Sequence, residues 1–382
     1  MNIGIDIRCL MQKHYSGVAE YTFNLLDNIF KIDHENQYKL FYNSKQDVTK
    51  NLPKFNFPNV KIFGFNYSNK LFNFCLKLFN FPKIDRLLKK TDIFFIPNLN
   101  FIALSNDCQK IITVHDLSFE LFPQFFSAKR KLWHKIINPR NLVAKCDKII
   151  AVSANTKNDL MNFYQIPASK IKVIHSGLNQ NLYKVLDQND PKFKLIKEKY
   201  KLPELFILFL GTLEPRKNIT GIIEAFNLLK AKHHNFNNLQ LVIAGEKGWN
   251  YKQIFSLAQN SPFADQIHYI DFVTSQDKAF IYNLAQLFLF PSFYEGFGFP
   301  ALEAQACGLP VIASTNSSFS EILGDSAFLI EPDYINEISE AIYQILSVQD
   351  LRQSLITNGL ENVKRFSWQT CAEQTLKYIS NP

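Results

Sequence analysis

Short apolar runs alternate with segments of helical period along almost the whole chain, and this rhythm limits the possible folds more than any other feature. It is the pattern of repeated strand–helix units built around parallel sheets. In the first half, strands are expected at 2–7, 38–42, 60–65, 92–97, 110–115, 148–153 and 170–175. Helix 18–30, "VAEYTFNLLDNIF", sets Val18, Tyr21, Leu25 and Ile29 on one face. The polar stretch 179–194, which contains Pro191, reads as a linker. A second series follows: strand 205–211, helix 219–230, strands 239–245 and 267–272, helix 277–285, strand 286–291, helix 300–307 and strand 310–314. A helical tail begins near 335 and breaks near 365–369. At 382 residues the chain exceeds what a single core usually supports. Two doubly wound α/β domains are therefore expected, 1–185 and 186–360, with a last helix over 361–382 packing back toward the first. Ligands of such sheets sit at the carboxyl ends of the strands.

Composition narrows the function classes. With 47% hydrophobic and 20% charged residues, the chain is that of a soluble folded protein. The opening "MNIGIDIRCL" alternates like a first strand, not like a secretory leader. The most promising uncharged stretch, Ala279–Tyr294, is too short to span a membrane. Six cysteines without a C-x-x-C pair suit a reducing cytoplasm and argue against a metal knuckle. The net charge of +8 is uneven. Residues 1–190 hold 26 Lys and Arg against 15 Asp and Glu, and the remainder 16 against 19. A basic first half points to an anionic partner.

Two segments of the second half carry chemistry. In "FPSFYEGFGFPALEAQACGLPVIAS" (290–314) a strand runs into a loop with Gly296 and Gly298, Pro300 opens a helix, and Gly308 closes it. Backbone amides left uncovered ahead of a helix N-terminus suit a phosphate or pyrophosphate. Glu303, on the first turns, could accept two hydroxyls of a ribose. Glu295, in the loop, would meet the other end of a nucleotide-sugar. Alone, such a pair of acids is as easily a turn cap and a solvated helix residue; the strand, glycines, proline and terminal glycine together favour the ligand site. In "FILFLGTLEPRKNITGIIEAF" a strand ends in Gly211-Thr212, and Arg216-Lys217 precede a helix expected to be capped by Asn218. Arg offers a bidentate fork and Lys a point charge to a diphosphate. An exposed basic turn is the plainer reading of that pair.

These segments, with "GIDIRCLMQKHYSGVAEYTFNLL", "TVHDLSFELFP", "IIAVSANTKNDL" and "KVIHSGLN", resemble the retaining glycosyltransferases of family 4 and are spread over nearly the whole length. The opening and "HDLSFELFP" look most like bacterial mannosyltransferase-type members of surface polysaccharide synthesis. The resemblance implies the GT-B fold, two Rossmann-like domains facing across a cleft. It implies transfer of a sugar, with mannose from guanosine diphosphate-mannose preferred, to a glycan or lipid-linked acceptor hydroxyl with retained configuration. Arg216 and Lys217 would neutralise the leaving diphosphate, and Glu303 would hold the ribose. Glu295 with the amides of Gly296, Phe297 and Gly298 would orient the sugar and phosphate. Gly211 and Thr212 would line the nucleotide site, Gly17 would let the first domain approach donor and acceptor, and His115 would face the sugar. As a lone residue His115 is more often a core or capping histidine; its place at a strand end before Asp116 favours the active role.

No Asp-x-Asp pair occurs, so no metal is expected, and no cofactor beyond the donor substrate. Two departures bear on the acceptor side: Ser176-Gly177-Leu178-Asn179 where relatives often have Asn-Gly-Val-Asp, and Ser16-Gly17 in place of paired glycines. Other classes fit less well. "GFGFPA" satisfies G-x-G-x-x-A, but "VIASTNSSF" lacks the ribose acid of a nicotinamide enzyme, and no G-x4-G-K-[ST] of a P-loop is present. A nucleotide-sugar epimerase or a non-catalytic sugar-binding relative stay as alternatives. No nucleic-acid partner is implied. Segment 66–90 mixes Leu71, Phe74, Cys75, Leu78 and Phe79 at helical spacing with six Lys and Arg, and reads equally as a helix on anionic lipid or one packed on the first sheet. The expected location is the cytoplasm, peripheral on the inner face of the cell membrane.

Overall fold

The strands of this protein are short and parallel to their neighbours, and the central ones are buried, as expected where helices cover both faces of a sheet. The edge strand Val60–Phe65 has no fully buried residue. The computed structural model describes residues 1–380. They divide into two compact units, the first formed by Met1–Leu117, Ala128–Gly177 and the segment from Phe366, the second by Ser118–Ser127 and Leu178–Arg365.

The first unit holds a seven-stranded sheet: β1 (Asn2–Asp6), β2 (Gln37–Asn43), β3 (Val60–Phe65), β4 (Ile93–Ile96), β5 (Gln109–Val114), β6 (Lys148–Ala151) and β7 (Ile171–Val173). Its order is β3-β2-β1-β4-β5-β6-β7, so the winding reverses between β1 and β4. Register is fixed there by Ile3 opposite both Tyr38 and Ile93. Helix Gly17–Ile32 buries Tyr21, Leu25 and Ile29 as its spacing predicts, while Val18 at its start stays partly open. The last helix, Trp368–Ser380, belongs to this unit and lies on helix Gly17–Ile32. The Tyr21 and Trp368 rings meet at 5.9 Å, and Lys148 Nζ donates to the Tyr378 carbonyl at 3.0 Å.

The second unit holds β8 (Phe206–Leu210), β9 (Gln240–Ala244), β10 (Ile267–Ile270), β11 (Leu287–Phe290), β12 (Val311–Ser314) and β13 (Phe328–Ile330) in the order β10-β9-β8-β11-β12-β13. Here the winding reverses between β8 and β11, which pair through Ile207 opposite Leu287. "FILFL" and "LFLF" are buried throughout, with Phe209 and Phe290 stacked at 6.2 Å across the pair.

The sequence reading differs from this picture in three places. The expected linker 179–194 is polar but not loose. Its last residues already belong to helix Lys192–Tyr200, and the Leu186 N–H donates to Asn283 Oδ1 at 2.9 Å. Strand β13 was not anticipated, being only three residues long. The units divide at 177/178 and 365/366, where boundaries were expected at 185 and 360. Ser118–Ser127 joins the second unit because Trp249 Nε1 donates to the Phe125 carbonyl, with the Phe126 and Trp249 rings 5.5 Å apart.

Candidate functional site

β8 and β11 lie side by side at the reversal of the second sheet, the place where doubly wound sheets present their ligand-binding loops. After β8 the chain passes Gly211 and exposed Thr212 into a short turn, Pro215–Lys217. That loop is fastened to the one after β9: the Gly211 N–H donates to Ala244 O at 3.0 Å, and Gly248 N–H to Leu213 O at 3.1 Å. The approach demands glycine at 245, whose φ is +140° and where a Cβ would stand 1.9 Å from the Gly211 carbonyl oxygen.

The turn carries Arg216 and Lys217, and both are paired with acids. Arg216 donates through Nε (3.1 Å) and Nη2 (2.6 Å) to Glu214 Oε1, through Nη1 to the Tyr294 carbonyl, and lies 3.2 Å from Glu295 Oε2. Lys217 Nζ donates to Glu295 Oε1 and sits 4.7 Å from the centre of the Phe290 ring. The four side chains are at most 12% exposed, and their charges sum to zero. Burial pushes the Glu295 carboxyl up, but Arg216 and Lys217 together outweigh it and hold the group below its usual value. The Lys217 ammonium is lowered by burial, with Glu295 opposing. The exposed basic turn is thus ruled out: these cations are buried and balanced. Glu214, two residues before Arg216, was overlooked in sequence; an acid set beside two cations in "EPRK" was its signal.

Glu295 leads the loop after β11. Its N–H donates to Ser317 Oγ at 3.0 Å, and Ser318 Oγ donates to its carbonyl at 2.9 Å. The chain then runs through Gly296 and buried Phe297 to Gly298, the residue before helix Phe299–Ala306. Gly298 adopts φ +97°, and a Cβ there would stand 2.7 Å from the Phe319 ring. Pro300 takes the second helical position, not the first, and Gly308 follows the helix end with φ +72°. Glu303, on this helix, is 2% exposed. Its Oε2 accepts from the Tyr282 hydroxyl at 2.9 Å, and Lys278 Nζ lies 3.8 Å away. The structure therefore gathers Arg216, Lys217 and Glu295 into one cluster and seats Glu303 on the next helix, held by two partners that sequence gave no reason to select.

Asn218 stands at the start of helix Ile219–Lys232 but does not cap it through its side chain. Its φ is +54°, and its amide donates instead to the Pro332 carbonyl at 2.6 Å.

His115 and Gly17 belong to the first unit. Gly17 begins helix Gly17–Ile32. His115 follows β5; its Nε2 donates to the Pro97 carbonyl at 2.9 Å, and the Tyr21 ring meets it edge-on at 4.7 Å. The donated proton leaves a lone pair on the other ring nitrogen. Burial lowers its affinity for a second proton, with the Pro97 bond opposing. At the reversal of the first sheet lies a cavity of about 250 Å³ lined in part by Asp6, Arg8, Gln12, Ser16, Asn98 and Trp133. On its wall Arg8 and Asp6 form a buried ion pair at 2.6 Å, and Arg8 also donates to the Phe101 carbonyl at 2.8 Å. Sequence showed these two only as charges in a first strand.

Two family models between them match most of the chain: Glycosyltransferase Family 4 over 15–182 and Glycosyl transferases group 1 over 192–362. This chain belongs to glycosyltransferase family 4. Among curated relatives of this glycosyltransferase is O-antigen chain mannosyltransferase B of Escherichia coli, 29% identical over 70% of the chain and 68% of that protein. The serotype-specific mannosyltransferase WbdA of Escherichia coli is also 29% identical, but over 61% of the chain and only 28% of WbdA. Anabaena HepE, solved with UDP-glucose, superposes with a TM-score of 0.74 over 100% of the chain and 99% of HepE at 18% identity, a likeness of fold. The fold is GT-B, with two Rossmann-like units. Among the described residues no helix is long and apolar enough to cross a membrane.

Proposed function

We propose that this glycosyltransferase moves a sugar, mannose first among candidates, from a nucleoside-diphosphate donor to a glycan or lipid-linked acceptor hydroxyl during cell-surface polysaccharide synthesis. The observation that carries this reading is the meeting of Arg216, Lys217 and Glu295 where β8 and β11 diverge. That is where a doubly wound sheet presents a ligand to strand ends and a helix N-terminus. Mannose and the polysaccharide product are carried over from the two mannosyltransferases of Escherichia coli that the chain resembles.

Charge grows on the β-phosphate as the sugar leaves. Preset cations there stabilise the transition state more than the ground state, each worth on the order of 10²–10³ in rate. In this reading Lys217 and Arg216 meet that charge, and Glu295 holds both in place while addressing the sugar. Gly211 and Thr212 line the nucleotide, the amides of Gly296, Phe297 and Gly298 face the phosphate, and Glu303 takes the ribose hydroxyls through Oε1 and the remaining lone pair of Oε2. His115 and Gly17 serve the sugar and acceptor from the first unit. The acceptor's proton passes to the departing phosphate, so retention needs no protein nucleophile. Arg216 and Lys217 take the place of a divalent cation, and turnover is expected to be unchanged in chelator. Peripheral attachment to anionic lipid through 66–90 completes the reading.

The test is a thermal-shift panel of nucleoside diphosphates and nucleotide-sugars on the wild type, Glu303→Ala and Arg216→Ala. A guanosine series that stabilises the wild type and neither variant supports it. Equal responses in all three proteins overturn the site.

A further inference from the structure

Two neighbouring helices of the first unit present apolar side chains to solvent. Helix Asn69–Leu78 turns Phe72 and Leu76 inward, where the Phe72 ring stacks 5.4 Å from Tyr67 and 6.1 Å from Phe41. Its opposite side carries Leu71, Phe74 and Leu78 at 62%, 56% and 62% exposure, and Phe79 and Phe81 follow at 64% and 65%. The packed-helix reading of this segment therefore holds, and the helix still has an apolar side left over. Helix Ala128–Ile137 buries only Ile137. Leu132, Trp133 and Ile136, adjacent on its surface, are 58%, 40% and 44% exposed. Lys77 Nζ reaches the Ile137 carbonyl at 3.4 Å, so the two helices are neighbours. Single exposed leucines are ordinary; this many large apolar side chains on two touching helices are an interaction surface.

Charge identifies the partner. Segment 66–90 holds Lys70, Lys77, Lys83, Arg86, Lys89 and Lys90 against one acid, Asp85, which is buried and accepts from the Ser105 N–H at 2.8 Å. Segment 128–145 holds Lys129, Arg130, Lys131, Lys135, Arg140 and Lys145 and no acid. Protein interfaces are depleted in lysine. Apolar tips ringed by lysine and arginine instead match a bilayer, with hydrocarbon below and anionic headgroups around it.

We infer that helices Asn69–Leu78 and Ala128–Ile137 form one platform that seats on an anionic lipid bilayer. Trp133 belongs both to this platform and to the lining of the Asp6–Arg8 cavity, so the platform brings that polar hollow to the headgroup level. The inference deepens the membrane part of the proposed function by adding a second helix, and does not depend on the identity of the donor.

The experiment is co-sedimentation of the whole protein with phosphatidylcholine vesicles, with and without phosphatidylglycerol, using surface variants that leave buried residues intact. Leu132→Ser/Ile136→Ser and Leu71→Ser/Phe74→Ser are each expected to weaken partitioning at least about tenfold. Lys129→Gln/Arg130→Gln/Lys131→Gln should weaken it by roughly 10² on anionic vesicles only. Bound wild type should show a blue-shifted tryptophan emission that Trp133→Phe abolishes. Nucleotide-induced thermal shifts serve as the folding control and should match the wild type. Retained binding in the helix 128–137 variants overturns the platform while leaving attachment through 66–90. No binding to anionic vesicles overturns both. Self-association that Leu132→Ser/Ile136→Ser abolishes would assign the surface to a second copy instead. None of these outcomes touches the transferase reading, which the nucleotide response tests separately.

Discussion

Glu295 touches both cations of the β8 turn, so its charge and theirs behave as one quantity. Replacing it with Gln leaves Arg216 and Lys217 facing Glu214 alone in a nearly dry site, and removing one member of such a pair costs about 3 kcal/mol or more. Glu295→Gln should show that loss in urea unfolding. Adding Lys217→Met, which removes the stranded charge, should recover part of it, a coupling visible only in the double variant. Activity should follow another rule, falling on the order of 10²–10³ in Lys217→Met and not recovering in the double variant. His115 gives a pH signature. Its affinity for a proton is lowered by burial in the folded chain, so the unfolded chain binds the proton more readily. Its contribution to stability is full above the unfolded value near 6.5 and declines as pH falls through the folded value. Wild-type urea midpoints should drop between pH 7.5 and 5.5 by more than those of His115→Asn. Equal drops would mean that His115 carries no such linkage.

The loops after β8, β9 and β11 bring these residues together, and here sequence reading divides cleanly. Strand 286–291, the glycine pair and the helix near 300–307 were legible because each has a local cause: an apolar run, backbone without a Cβ, and a proline at a helix start. The partners of the charged residues were not, because pairing across loops leaves no periodic trace. Tyr282 lies 21 positions from Glu303, and Asn218 gives its amide to Pro332, 114 positions away, when its local role would have been a cap. The tightest constraint, Gly245, was also invisible, since an isolated glycine after a strand says nothing of the Gly211 carbonyl against it. Gly245→Ala should cost about 3 kcal/mol or more by forcing the β8 and β9 loops apart. It should also blunt the nucleotide thermal shift. Gly324→Ala is the control: φ is +48°, but no atom lies within 4 Å of a Cβ there. It should cost about 1 kcal/mol and leave the nucleotide response intact.

At the scale of the molecule, neither unit is a continuous stretch of chain. The backbone passes from one to the other at 117/118, 127/128, 177/178 and 365/366. The strand–helix rhythm revealed two doubly wound sheets but could not show this exchange, because a helix at the end of the chain has the same pattern whichever sheet it covers. The particular contacts decide it. Trp368 lies against Tyr21, Tyr378 OH donates to the Lys170 carbonyl at 2.9 Å, and a Cβ at Gly177 would stand 2.2 Å from the Trp368 nitrogen. A chain ending at Arg365 therefore loses part of the first unit's core, not a tail. It uncovers the buried stripe of helix Gly17–Ile32, where exposing each large apolar side chain costs roughly 1.5–3 kcal/mol. The second unit keeps all its strands and the whole Arg216–Glu295 cluster. Calorimetry of the 1–365 protein should show the first unit's transition lowered or lost. The nucleotide-induced shift of the remaining transition should persist, since the residues assigned to the nucleotide and its phosphates all lie in the second unit. If both disappear together, the second unit draws its stability from the first, and the donor site cannot be treated as belonging to one unit alone.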